Sequence, residues 1–352
     1  MRRFHSALFV LVLVLLAAQS LMAAPYYVGN CKVKTGYYTT IQAAVNAASP
    51  GSTVEVCPDF YNEQVIISKA LTLEAIPGWN TGPVVISDGG GITLTTTTSI
   101  SIGPIAPQVW VTAGPVNITN IAVTQTTTPP PTEVGIFYAS GSSGTVKGTE
   151  IYGDSNYAGI VAENGAGAAQ SVTIENNYLS GQISGIFIDS NQETSTLTAA
   201  VKNNYISITG GFVALQSLDN AQGSMSNNFI TFLTPGQGLG VWAGAQHVSI
   251  SGNWIYNGSI GINSEASAVS VTSNQILNCI TGIVIGVGPA TIKTNGIVST
   301  SGAIEFDCTT GNTVTGNIIN DTATGLDRVP SGFTGSNTFY NVGTRITDGC
   351  GS

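Results

Sequence analysis

Val172-Thr173-Ile174-Glu175-Asn176-Asn177-Tyr178-Leu179 is a phrase that the chain repeats. It returns at residues 199–206 as AAVKNNYI, at 248–255 as VSISGNWI, at 269–276 as VSVTSNQI, at 290–297 as ATIKTNGI and at 312–319 as NTVTGNII. Weaker copies centre on Ile121, Thr149, Asn228 and Asn337, and the ten anchors between 121 and 337 stand 20 to 28 residues apart. A self-similar period of this length marks a solenoid, in which one repeat is one coil and no coil buries its apolar face without neighbours.

A second marker precedes each anchor: Gly135-Ile136, Gly159-Ile160, Gly185-Ile186, Gly240-Val241, Gly261-Ile262 and Gly282-Ile283. Each opens another short run of alternating apolar and polar residues, so the pattern predicts three short strands per coil. Within the anchor run Val172 and Ile174 point one way while Thr173 and Glu175 point the other. Stacked coils bring like positions into register about 4.8 Å apart and form aliphatic columns. The anchor Asn marks a sharp turn whose side-chain amide reaches backbone groups and the same amide one coil away. Two residues before each turn stand Lys147, Glu175 and Lys202 in successive coils. These three are expected to stack outward as an alternating charge ladder.

Composition limits the partners. Residues 1–24 open with Arg2 and Arg3, run apolar over 7–18 and end in small residues, the layout of a secretory signal peptide cleaved near Ala23. Its removal takes two arginines and no acids, so the formal charge moves from −9 to −11. No basic stripe is left to neutralise phosphates, which excludes nucleic acid as a partner, and no later segment has the length of a membrane span. The 42% hydrophobic content excludes disorder, and 43 glycines among many Thr, Ser and Asn exclude an ordinary helical globule. His247 is the sole histidine and Met225 the sole methionine after residue 24, too few for a copper site.

The Gly-Ile runs followed by Ile-x-x-Asn-x-Ile resemble the repeats of the pectin-lyase-like superfamily over most of residues 50–345. The resemblance implies an all-β, right-handed parallel β-helix of about twelve coils, a single domain over 25–352 with an N-terminal cap at 25–60 and a C-terminal cap at 330–352. Residues 40–51 (TIQAAVNAASPG), followed by Val54-Glu55-Val56, look like the N-terminal cap of pectin methylesterases. A short Ala-rich helix over 41–48, stopped by Ser-Pro-Gly, is expected to plug the open end. Cys31 and Cys57 flank this cap, and their pairing would tie the first strand to the first coil. Cys308 and Cys350 share a phase two coils apart, roughly 9.6 Å, beyond disulfide reach unless the tail folds down. Cys279 is left free.

The superfamily is similar in fold across lyases, hydrolases, esterases and non-enzymes, so activity rests on the site. Its chemistry generally lies on the outward face of the Gly-Ile strand. One outward column there contains Phe137, Val161, Phe187, Ala214, Trp242, Asn263, Val284, Glu305 and Asp327. The other contains Ala139, Glu163, Asp189, Gln216, Gly244, Glu265, Gly286 and Asp307. Glu163 and Asp189 on adjacent coils give the catalytic candidate, at the carboxylate spacing of glycosidases. Glu305, Asp307 and Asp327 give a candidate Ca²⁺ site of hard oxygen ligands, with Arg328 beside it. Both sets also read as strand-ending acids of an acidic protein.

The motif sets of pectin methylesterases and polygalacturonases are missing. Aromatics supply a different feature: Tyr178, Tyr205, Phe229 and Trp254 follow four successive anchors at one phase, pointing outward. With Trp242 they are candidate ligand-binding residues, since sugar rings stack on flat aromatics; a mutually stacked stripe covering the strand below is the competing reading. The expectation is a secreted or cell-surface β-helix that binds polysaccharide or another surface component without catalysis. The alternative is a polysaccharide hydrolase or lyase acting on the Gly-Ile face.

Overall fold

The computed structural model describes residues 24–76, 83–87, 94–95, 104–124, 132–153, 158–165, 169–190, 196–331 and 333–350. All of the expected signal peptide except Ala24 lies outside them. Three ladders of parallel strands run the length of the molecule. The first holds twelve strands, from Tyr26–Val28 to Thr313–Thr315. The second begins at Asp59–Asn62 and the third at Val65–Ile67. In the last coils these two merge, because Gln275–Ile285, Gly296–Phe306, Ile318–Asp327 and Thr338–Ile346 each continue through the bend between them. Complete turns are slightly fewer than the expected twelve, since Tyr26–Val28 adds a rung to the first ladder alone and Thr338–Ile346 is the last rung of the other two.

Alternation places the anchor-strand aliphatics inward. Val146, Ile174, Val201, Met225, Ile250, Val271, Ile292 and Val314 form one column in direct register, all buried. The outer face of the same ladder carries the expected charges: the Lys147 ammonium stands 3.1 Å and the Lys202 ammonium 3.0 Å from the Glu175 carboxylate between them.

The turn after each anchor strand has two parts. Its first residue takes the left-handed conformation, as at Asn176 (φ 56°), Asn203 (φ 57°), Asn227 (φ 54°) and Gly252 (φ 65°), which suits Asn and Gly. The second is a buried Asn. From Asn177 through Asn204, Asn228, Asn253, Asn274, Asn295 and Asn317 to Asn337, each Nδ2 donates to the next Oδ1 at 2.8 to 3.0 Å. Each Nδ2 also donates to a carbonyl of the coil before, such as Val146 for Asn177 and Ile174 for Asn204. The bend would otherwise orphan these groups. The Gly of the second marker has a separate cause: a Cβ on Gly185 would stand 2.4 Å from the Ala214 carbonyl oxygen and 2.7 Å from an Ile206 methyl, so the bend is closed to larger residues there.

The first rung is sealed. The helix Ile41–Ala47, capped by Thr40, buries Ile41, Ala44 and Val45 against the open core. Both Glu63 carboxylate oxygens accept from the helix's first backbone groups, Ile41 N–H at 2.7 Å and Gln42 N–H at 2.9 Å. The Gln42 amide then accepts from Ile66 N–H and donates to Ile66 C=O, supplying to the edge strand what a neighbouring strand would. The Cys31–Cys57 disulfide joins the first strand to this coil, with Cα atoms 5.8 Å apart.

At the other end, within the segment expected as the C-terminal cap, Thr338–Ile346 forms a largely exposed last rung. Cys308 and Cys350 are bridged, with Cα atoms 5.3 Å apart, against the two-coil separation expected from phase. Beyond Thr347 the tail has no further rung to pair with. It turns down across Arg328, whose carbonyl lies 2.9 Å from Cys350 Sγ, and so reaches the coil below. Cys279 is free and buried, and burial pushes its thiol up to about 11.

Candidate functional site

The outer face of the third ladder divides into a covered half and an open half. Register places Trp110, Phe137, Val161 and Phe187 in one column, with Gln216, Trp242, Asn263, Val284, Glu305 and Asp327 above them. Phe187 therefore pairs with Gln216 and Asp189 with Leu218, which corrects the sequence-based columns by two residues in this one coil. The coil lacks a Gly-Ile marker: Leu215 pairs with Ile186, so Ala214 takes the marker position.

In the covered half Phe137, Val161 and Phe187 join Val134, Ala158 and Val213 in an apolar cluster outside the main core. Glu163 and Asp189 stand in register on adjacent coils as expected, but are 2% and 0% exposed. They adjoin a buried polar network. The Asn164 amide donates to Thr196 C=O and the Gln170 amide to Ala139 C=O, while Ser140 Oγ accepts from Gly165 N–H.

The open half starts at Trp242, a half-buried ring that packs on the end of the apolar cluster. Its indole N–H donates to Glu265 Oε2 at 2.9 Å, and the Asn263 amide donates to the other oxygen, Oε1, at 2.9 Å. Gly244 on the same strand is required by Leu218 rather than by the indole: a Cβ there would stand 2.7 Å from a Leu218 methyl, whereas the indole nitrogen, 3.7 Å away, would be in ordinary contact. The carboxylate is thus held by one neighbour and holds another, which orients the ring. Sequence reasoning selects Trp242 and leaves Asn263 and Glu265 unmarked in its columns. What finds them is their spacing, two residues apart on one outward face and one coil above an outward Trp.

Further along, Glu305, Asp307 and Asp327 converge as the columns require, and Arg328 stands among them. Its guanidinium contacts Glu305 directly and lies 3.6 Å from Asp307 and 4.0 Å from Asp327. Asp327 is further engaged by the Thr347 hydroxyl. The positive charge that Ca²⁺ would bring is already supplied, so these residues do not fit the ion. Among the described residues no group of three or more acids, Cys or His is arranged to hold a metal. His247 is an exposed turn residue with φ 59°.

The aromatic stripe lies on the second ladder. Tyr178 and Tyr205 stack with centroids 4.9 Å apart and planes 4° from parallel; Tyr205 and Phe229 stack at 5.2 Å and 5°. Both faces of Tyr205 are therefore occupied, and its exposed part is a ring edge. Tyr152 tilts against the lower end, while Tyr256 packs on Phe229 and Trp254 at the upper end. Trp254, 49% exposed, is the most open ring of the four selected from sequence.

Three parallel ladders, an axial Asn ladder and a helical plug together define a right-handed parallel β-helix of the pectin-lyase-like fold. No protein-family model matches the chain, and no curated protein matches its sequence. Solved structures do. A GH136 lacto-N-biosidase from Eubacterium ramulus is similar at 11% identity over 90% of this chain and 68% of its own, with a TM-score of 0.56. A family 28 exopolygalacturonase from Yersinia enterocolitica is similar at 13% identity over 93% of this chain and 78% of its own, with a TM-score of 0.49. The A-module of a mannuronan C-5 epimerase from Azotobacter vinelandii is similar at 14% identity over 87% and 94%, with a TM-score of 0.46. At these identities the likeness is one of fold.

Proposed function

We propose that this protein is an exported β-helix that binds glycan chains, without catalysis, on the open half of its third ladder. The observation that carries the proposal is the Trp242–Glu265–Asn263 arrangement: an aromatic platform whose orientation is fixed by a carboxylate, itself fixed by an amide. Sugar rings present apolar faces to such a platform and hydroxyls to the polar groups around it. The fold shared with a lacto-N-biosidase fits this use of the surface. Export fits two disulfides, which persist in oxidising compartments.

Absence of catalysis is supported by the burial of Glu163 and Asp189, which withdraws the best-matched carboxylate pair from a polymer. The stripe of Tyr178, Tyr205 and Phe229 is assigned to stability, because its inner ring faces are spent on one another. Retention of the purified protein on a panel of immobilised glycans tests the binding reading. Wild type should be retained on at least one, and Trp242→Ala should lose at least tenfold in affinity at a temperature where the variant, which also loses packing on the apolar cluster, remains folded. A depolymerisation screen of the same glycans with and without Ca²⁺ tests the other half: release of reducing ends or unsaturated products, lost in Glu163→Gln or Asp189→Asn, would establish the enzyme instead.

A further inference from the structure

We infer that the glycan this face accepts is uncharged, and that polyuronates are rejected; the inference rests on the binding role proposed for Trp242. Among the described residues the ionised group at the platform is an acid. Glu265 touches the indole itself; Glu305, Asp307 and Asp327 stand further along the same face, where Arg328 pairs with them. The basic residues lie elsewhere. Lys147, Lys202 and Lys293 sit on strands of the first ladder, and Lys32 is paired with Glu55 at its N-terminal end. Lys69 donates to Asn46 and Ala48 carbonyls under the cap helix.

Among the described residues, only Arg328 and Arg345 stand on or directly after a third-ladder strand. Arg328 is engaged by three carboxylates, and Arg345 belongs to the last rung. A uronate ring laid on Trp242 would bring its carboxylate beside that of Glu265 with no cation in reach. Like charges so placed repel, and the two carboxylates would lie well within a Debye length of each other, about 10 Å at 0.1 M salt. A neutral ring meets none of this. Its hydroxyls find an acceptor in the exposed Glu265 carboxylate beside the indole.

The test compares the full chain on soluble neutral polysaccharides (galactan, mannan, glucan, xylan, arabinan) with polygalacturonate and alginate, by affinity electrophoresis in 20 mM and 300 mM NaCl. At least one neutral glycan should retard wild type, and both uronates should bind at least tenfold more weakly than it at low salt. Retention by the neutral glycan should be insensitive to salt and lost in Trp242→Ala; Trp242→Phe, which keeps a ring, checks that the loss is not misfolding by retaining part of it. Uronate binding equal to or tighter than the best neutral glycan would overturn the inference while leaving glycan binding in place. No retention by any glycan would overturn both.

Discussion

The Asn228 side chain makes four hydrogen bonds to three neighbours. Its amide donates to Val201 C=O and Asn253 Oδ1, and its own oxygen accepts from the backbone N–H and the amide of Asn204. Replacement by Ala leaves several buried groups without partners, and each costs about 1–3 kcal/mol. Asn228→Ala should therefore lower stability by on the order of 3 kcal/mol, read as a reduced urea midpoint. Glu175 is the opposite case. Two exposed lysines hold its carboxyl below the ordinary value of 4.5 through hydrogen bonds, first from Lys202 and then from Lys147. A folded-state value below the unfolded one stabilises at pH above 4.5, and the gain disappears as pH falls through the lowered value. Exposed pairs are weak, so Glu175→Gln should cost less than about 1 kcal/mol at pH 7. Its difference from wild type should vanish in melts run at successively lower pH below 4.5.

Strands and caps carry larger effects than single surface charges. On the second ladder, Tyr205 lies between Tyr178 and Phe229 with both faces stacked. Tyr205→Ala should destabilise by about 2 kcal/mol through lost area and ring stacking, while glycan retention stays unchanged. Trp242→Ala should lose glycan retention under conditions where it remains folded, and the two variants together separate stripe from platform. At the sealed end, Glu63→Gln weakens one of two charge-assisted bonds to the helix start and should cost about 1.5 kcal/mol in thermal melts.

The anchor strands were legible because their requirements are local: a left-handed residue, then a buried Asn, after alternating aliphatics. The third-ladder column was legible wherever Gly forced the bend. It slipped by two residues at Val213–Asp219, where Ala214 serves in place of Gly. The Trp242–Glu265 bond was not legible, since it depends on side-chain direction across two coils.

For the molecule as a whole, stability is held axially, coil on coil, with a bridge at each end. Cys31–Cys57 closes 26 residues and Cys308–Cys350 closes 42. The chain-entropy account gives about 3.5 kcal/mol for the first, so Cys31→Ser with Cys57→Ser should lower the urea midpoint accordingly. The second bridge escaped the sequence because phase alone measures height along a regular stack, whereas a chain that has left its last strand is no longer bound to that spacing. Between these ends the axial amides set a rule for length. Each asparagine asks only for another asparagine one storey above, so the protein can be shortened by whole storeys. Asn274 and Asn295 are 21 residues apart. Excision of residues 275–295 would set Asn274 beneath Asn317 with every amide still answered, and that chain should fold with a cooperative transition. Excision of 20 residues should not, because the side chains beyond the cut would exchange inside for outside. Circular dichroism melts of the two deletions decide the point: length in this molecule comes in countable units.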